Sequence, residues 1–254
     1  MREDPVAKMA RGPVLVLEMQ DPASRNALSR GMLEGLCEAI GHAGAGVLGI
    51  VITGGAECFS AGGDFRELQG TREDLRYDDA VSQVVAAILA SDRIIVAAIE
   101  GPCMGAAADI ALACDYRIAG AGAFLQIPAV RLGLLYNPEA IDRLRRKYPS
   151  DTVRRLLLAG ERFDDQAACQ AGLFSRVVGR GASAETAVQG LAALRPQHAD
   201  AVQATKRLLS DLDTGQAGTA DWQERRTELL DSEPRREAVR QMHARFVHKT
   251  EPPR

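Results

Sequence analysis

Apolar residues follow two periods along this chain. PVLVLEM (13–19) and VLGIVITG (47–54) are short runs rich in β-branched and aliphatic residues, and each predicts a strand. Between them, RGMLEGLCEAIGHA places apolar residues every three or four positions behind Ser29, which predicts an amphipathic helix with a serine N-cap. A second helical pattern covers about 74–91, and IIVAAIEG (94–101) lacks polar alternation, as a strand buried on both faces would. DYRIAG and FLQIP predict two short strands meeting at an AGAG turn. After Asn137 the period is almost wholly helical: TVRRLLLAG, DQAACQAGL, then long charged helices over 196–213 and 219–248. Strand–helix alternation giving way to helices predicts an α/β core over 1–195 and a helical region over 196–254.

Composition narrows the function classes. With 254 residues, 46% hydrophobic and 26% charged, the chain matches ordinary soluble domains. A formal charge of -3 and 4% aromatics argue against nucleic acid as a partner. No stretch approaches the ~20 apolar residues of a membrane span, so no membrane partner is expected. MREDPVAKMARG lacks the charged-then-apolar order of a secretory signal. The five cysteines form no CxxC pair, which predicts free thiols in a reducing, cytoplasmic setting. None of the four histidines pairs with a carboxylate or cysteine at ligand spacing, so no metal is expected. GxGxxG and GxxxxGK[ST] motifs are absent.

Two glycine-rich corners remain, GGAECFSAGGDFREL (54–68) and GPCMGAAADIALACD (101–115). Each reads as strand, small residues, helix. Small residues let the backbone turn sharply and let its N–H groups approach a ligand. Two such groups facing one point make an oxyanion hole. The alternative is that glycine and alanine serve only close helix–sheet packing.

Three stretches resemble the crotonase (enoyl-CoA hydratase/isomerase) superfamily. FSAGGDFREL is similar to its FxAGxD signature, IIVAAIEGPCMGAAADIALACDYRIA to its second signature, and LAGERFDDQAACQAGLFSRVV to its TGxRxxAxEAxxxGLVxxVV segment. The resemblance spans about 12–248 in the family's order. It implies an α/β spiral of ββα units with two roughly perpendicular sheets, and C-terminal helices that build homotrimers or hexamers. It also implies an acyl-CoA thioester as substrate, no separate cofactor, and an enolate held by two backbone amides. By position these are the N–H groups of Gly63 and Ala106, the latter standing where glycine is usual. Ala61, Asp64 and Gly105 of the two signatures fall on the substrate side, together with Arg25, Arg66 and Lys249 as candidate CoA contacts.

The departures carry the finer reading. Asp109 stands where the family's hydratases place the first of two catalytic glutamates, one helical turn from Ala106. It suits acid–base work if buried, and equally suits a plain N-terminal helix carboxylate. The second glutamate, from a PExxLG segment, is here Ala129 in Pro128-Ala129-Val130-Arg131-Leu132-Gly133. Ordinary hydration, which employs both acids on one water, is therefore disfavoured, and so is isomerisation. LGLLYNPEA is similar to the methylmalonyl-CoA decarboxylase branch, as are Tyr77-Asp78-Asp79 and Asp231-Ser232-Glu233. A phenol at Tyr136 or the amide of Asn137 can hold a departing carboxylate; the alternative is a core aromatic. The expectation is decarboxylation of a malonyl-CoA-type thioester. A rearranged hydratase or isomerase, or a non-catalytic acyl-CoA-binding subunit, stays open beside it.

Overall fold

The chain in this computed structural model is described over residues 4–44, 46–215 and 218–250, with 245–250 described by backbone alone. Its contacts divide it into two compact units, Met1–Leu194 and Arg195–Arg254.

In the first unit a six-stranded sheet runs β1 (Val6–Arg11), β2 (Val14–Met19), β3 (Gly49–Thr53), β4 (Ile94–Ile99), β6 (Tyr116–Gly120), β9 (Arg176–Val178). Only β1 is antiparallel to its neighbour; the remaining pairs are parallel. A second sheet joins β5 (Pro102–Met104), β7 (Phe124–Gln126) and β8 (Arg162–Asp164). The two strands expected to meet at the AGAG turn, β6 and β7, thus lie in different sheets. Parallel neighbours require crossovers, which α1 (Arg30–Gly41), α2 (Leu75–Ala90) and α3 (Ala106–Ala113) supply.

Both faces of the sheet are buried at its central strands β2, β3 and β4, which explains their nearly unbroken apolar sequences. Ile50, Ile52, Ile95, Ala97 and Ile99 join the main core, alongside residues of α1, α2 and α3. Their alternates Val51, Val96 and Ala98, with Val14 and Val16, form a second cluster with Ala187, Val188 and Leu191 of α7 (Ser183–Ala192). A Cβ at Gly49 would stand 2.8 Å from Leu191 Cδ1, so a larger residue there would require the Leu191 side chain to shift. The Ser29 side chain caps α1, accepting from the Met32 N–H at 3.2 Å. Beyond Asn137 the unit adds α4 (Pro138–Lys147), α5 (Ser150–Leu158) and α6 (Asp165–Gln170).

The second unit holds α8 (Ala199–Thr214), α9 (Gln223–Leu230) and α10 (Glu233–Thr250). The single helix expected over 219–248 is broken at Asp231–Ser232. Pro234 follows at the start of α10 and cannot continue α9's hydrogen-bond ladder. Asp231-Ser232-Glu233 is therefore a helix junction. Among the described residues no helix is long and apolar enough to cross a membrane, no group of three or more His, Cys, Asp or Glu is placed to hold a metal ion, and the five cysteines are free.

Candidate active site

The site is assembled mostly from main chain. β4 ends at Ile99, Gly101 turns the chain at φ +56°, and β5 carries it to Gly105 at φ +53°, where α3 begins. The Gly105 N–H donates to the Gln126 carbonyl at 2.8 Å, which ties this corner to β7. The first corner is a loop rather than a strand–helix turn. Two short 3-10 turns, Phe65–Glu67 and Arg72–Asp74, follow it, and α2 begins ten residues after Phe65, at Leu75. The loop is shaped by buried Asn26, whose amide donates to the carbonyls of Gly54 and Cys58, both at 2.9 Å, and of Phe59 at 3.4 Å.

Hydrogen bonds stitch the corners together. Phe59 N–H donates to Glu100 O at 2.6 Å, Ser60 N–H to Pro102 O at 3.0 Å, and Met104 N–H to Ser60 O at 3.2 Å. Gly62 makes the approach possible: its φ is +96°, and a Cβ there would lie 2.7 Å from the Met104 carbonyl oxygen. The amides of Gly63 and Ala106 come out of this junction, and neither donates to an acceptor among the described residues. A free N–H is ordinary at the first position of a helix, as at Ala106. Gly63 is not part of any helix, so its spare donor is not explained by a helix end. Behind Gly63 stands Tyr77, whose hydroxyl donates to the Leu28 carbonyl at 2.5 Å.

Asp109 lies one turn into α3 and is 5% exposed. Its carboxylate is paired with Arg143 of α4, whose side chain is 17% exposed. Burial pushes the Asp109 carboxyl up and Asp78 of α2 adds to that, while the Arg143 guanidinium holds it down. The Arg143 Nε is buried without an acceptor. One turn further along α4, Lys147 donates to the carbonyls of Leu112 at 3.0 Å and Cys114 at 3.3 Å, at the C-terminal end of α3. Burial brings that ammonium down to about 8. Helix α4 therefore grips α3 at Asp109 and at its end.

Tyr136 reaches the corner: its half-buried phenol donates to the Gly105 carbonyl at 3.4 Å, next to Ala106. Burial and the charge of Asp109 push the phenol well above its usual range. A bond this long contributes little, so the hydroxyl is available for a shorter one. Ala129, in the place of the second acid, is buried at 5% exposure and has no proton to give.

Several expected contacts are otherwise engaged. The Asn137 side-chain Oδ1 caps α4, accepting from the Glu139 and Ala140 N–H groups, and its Nδ2 meets Ser82 Oγ at 3.3 Å. Its side-chain oxygen is thus engaged as a helix cap. Asp64 caps the 3-10 turn and takes Arg66 in a forked pair, Nε to Oδ1 at 2.9 Å and Nη2 to Oδ2 at 2.7 Å. The Asp64 carboxylate is buried in this pair, while the Arg66 side chain stays exposed. The Ala61 N–H is occupied by the Arg25 carbonyl at 3.0 Å. Exposed Arg25, at φ +57°, borders a hollow of about 280 Å³ with Pro22, Asn26, Gly54, Glu57 and Cys58. The side chain of Lys249 lies outside the described residues.

Arg143 and Asp78 are the residues that sequence reasoning missed. Arg143 lies in IDRLRRKY, a charged run that reads as a solvated helix face. Asp78 had a faint signal in Tyr77-Asp78-Asp79 but no place in the site until α2 was packed.

Comparison with known proteins agrees with this geometry. The family model described as enoyl-CoA hydratase/isomerase matches residues 10–253. A Mycobacterium tuberculosis protein named "probable enoyl-CoA hydratase echA6" is 35% identical over 199 residues, 78% of this chain and 79% of that one. The 2,3-dehydroadipyl-CoA hydratase of Escherichia coli is 33% identical over 231 residues, 89% of this chain and 90% of that one. The crystal structure of an enoyl-CoA hydratase/isomerase family protein from Hyphomonas neptunium superposes with a TM-score of 0.86 at 29% identity, covering 95% of each chain. The two stitched corners, the spiral of sheets that presents them and these matches make the chain a member of the enoyl-CoA hydratase/isomerase family, with the crotonase fold.

Proposed function

We propose that the enzyme decarboxylates a malonyl-CoA-type thioester through an enolate held by the Gly63 and Ala106 amides. One observation carries this reading: the site has a single carboxylate at the acid–base positions, Asp109, and an arginine neutralises it, while Ala129 occupies the other position. Syn addition of water asks two groups to manage one water molecule. A paired carboxylate is a weak base and an alanine side chain is none. Loss of CO2 needs no base, because the electrons of the broken bond flow directly into the thioester. What it needs is stabilisation of the resulting oxyanion, and two spare amides supply that. The Tyr136 hydroxyl, beside Gly105, can hold the departing carboxylate out of the thioester plane.

Hydration is the second reading, favoured by the names of the similar proteins from M. tuberculosis and E. coli. Incubation with malonyl-, methylmalonyl-, ethylmalonyl- and crotonyl-CoA, following CO2 release and hydration in parallel, decides between them. CO2 from one of the malonyl-type thioesters, with slow hydration of crotonyl-CoA, is the expected result; rapid hydration without CO2 release overturns it. Exposed Leu209, Leu212, Leu230 and Met242 on the helical unit support its use in self-association as a trimer or hexamer. A monomer in light scattering at micromolar concentration would remove that part.

A further inference from the structure

We propose that substrate opens the Asp109–Arg143 pair: Arg143 leaves Asp109 for the carboxylate carried on the acyl chain, and Asp109 takes up the proton that it later gives to the enolate carbon. This rests on the malonyl-type reading of the acyl group.

Three features of the site support it. First, Arg143 is only partly used. One terminal nitrogen meets Asp109, while Nε is buried with no acceptor. Guanidinium groups bind carboxylates best through two parallel N–H bonds, and this one has donors to spare. Second, Arg143 is the counter-charge that holds Asp109 ionised. The other groups facing Asp109 are the Asp78 carboxylate on α2 and the Tyr136 phenol on the segment leading into α4. Neither is a cation, and burial favours the neutral acid. Once Arg143 moves, every remaining influence favours protonation. Third, Asp109 stands one turn below the Ala106 donor, so an acid there is next to the carbon that must be protonated.

The chemistry balances. On binding, the substrate carboxylate replaces the Asp109 carboxylate on Arg143, and Asp109 accepts one proton from water. The bond from the α-carbon to the carboxylate then breaks. Its electron pair enters the thioester as an enolate on the Gly63 and Ala106 amides, and neutral CO2 departs. Arg143, having lost its partner, returns to Asp109 as the Asp109 O–H proton passes to the α-carbon. The net reaction consumes one proton and releases one CO2, with no oxidant or cofactor.

The test separates this exchange from decarboxylation itself. Sulfoacetyl-CoA carries a sulfonate in place of the carboxylate and cannot lose CO2; acetyl-CoA lacks the anion. Calorimetric titration of each, in buffers of different ionisation enthalpy, reads protons taken up on binding. The wild type should take up roughly one proton with sulfoacetyl-CoA and none with acetyl-CoA, and Asp109→Asn should take up none with either. Arg143→Gln should weaken sulfoacetyl-CoA about 10- to 150-fold, the range of a hydrogen bond to a charged group, and leave acetyl-CoA unchanged. Arg143→Lys should recover part of the loss, which guards against misfolding as the cause. Equal proton uptake with both thioesters, or equal weakening of both by Arg143→Gln, overturns the exchange even if the wild type releases CO2. Uptake confined to sulfoacetyl-CoA, with no CO2 from any malonyl-type thioester, upholds the exchange as anion recognition and overturns the decarboxylase reading.

Discussion

Gly62→Ala inserts one methyl group between the two corners. At φ +96° an alanine is strained wherever it sits, and here its Cβ would also stand 2.7 Å from the Met104 carbonyl oxygen. That oxygen belongs to β5, which is paired to β7 and cannot swing aside as a flexible side chain would. Relief of the contact requires the corners to part by roughly 0.5–1 Å, a displacement that in positioned active sites costs about 10²-fold in rate. Misplacing one donor of an oxyanion hole costs about 10²–10³-fold in kcat. The strained backbone should also cost about 1–3 kcal/mol of stability. Gly12→Ala is the matched control: its φ is +63°, and nothing lies within 4 Å of the added Cβ. It should lose about 1 kcal/mol and keep its kcat. Turnover of whichever thioester proves active, read with a thermal melt of each variant, makes the comparison. Both decarboxylation and hydration pass through the enolate, so the prediction is independent of the choice between them. A Gly62→Ala enzyme with wild-type kcat would refute the assignment of the Gly63 and Ala106 amides as joint oxyanion donors.

Four further predictions follow from the same geometry. Tyr136→Phe should slow CO2 release about 10- to 150-fold with nearly unchanged melting, because the hydroxyl makes only a 3.4 Å bond to Gly105; an unaffected rate would make it a core aromatic. The wild type should hydrate crotonyl-CoA about 10²-fold or more slowly than family members with both acids, since Ala129 moves no proton; equal rates would remove that explanation. Asn137→Ala should cost about 1 kcal/mol through loss of the α4 cap, with a lower melting temperature and little change in thioester affinity; a large affinity loss at unchanged stability would return Asn137 to the substrate. Lys147 is brought from 10.5 down to about 8 in the folded protein. Between those values the unfolded chain binds more protons, so this residue makes stability rise as pH climbs from about 8 toward 10.5. Lys147→Met should lose that part of the slope in pH-dependent unfolding; identical slopes would contradict the environment assigned to the ammonium.

The elements legible in the sequence were those with long, clean periods. β2, β3, β4, α1 and α2 each repeat a strand or helix pattern over five or more residues. β1 escaped because VAKMAR is an edge strand with only Val6 buried, so it shows no alternation. β5, β8 and β9 have three residues each, too few to show a period, and the last two sit among helices. Asp109 was legible as a candidate because a motif fixes its place relative to Ala106, and the fold buries it there. Its partner was not, since Arg143 meets it across a separation of 34 residues through the packing of α4 on α3. Asn137 carries a purely local signal. Asn-Pro-Glu is itself an N-cap signature, with proline at the first helical position and an acid in the first turn, and that local reading is the one the fold adopts. Asp64 repeats the lesson on the scale of a single 3-10 turn.

The two proposed oxyanion donors have unequal mechanical backing. Ala106 is the first residue of a helix held by α4 at Asp109 and at its end, and it follows β5 of the small sheet, so it is the fixed jaw of a vice. Gly63 ends a loop that belongs to no helix or named strand; its curve is held by the Asn26 side-chain amide, reaching three carbonyls, and by separate main-chain bonds at Phe59, Ser60 and Ala61. It is the adjustable jaw. Adaptation to a bulkier or smaller acyl group should therefore accumulate over 54–63 and in the residues around Asn26, while the 101–109 segment stays as it is. A library confined to the loop samples new pocket widths with the anvil left in place; a library confined to the helix end loosens the anvil first.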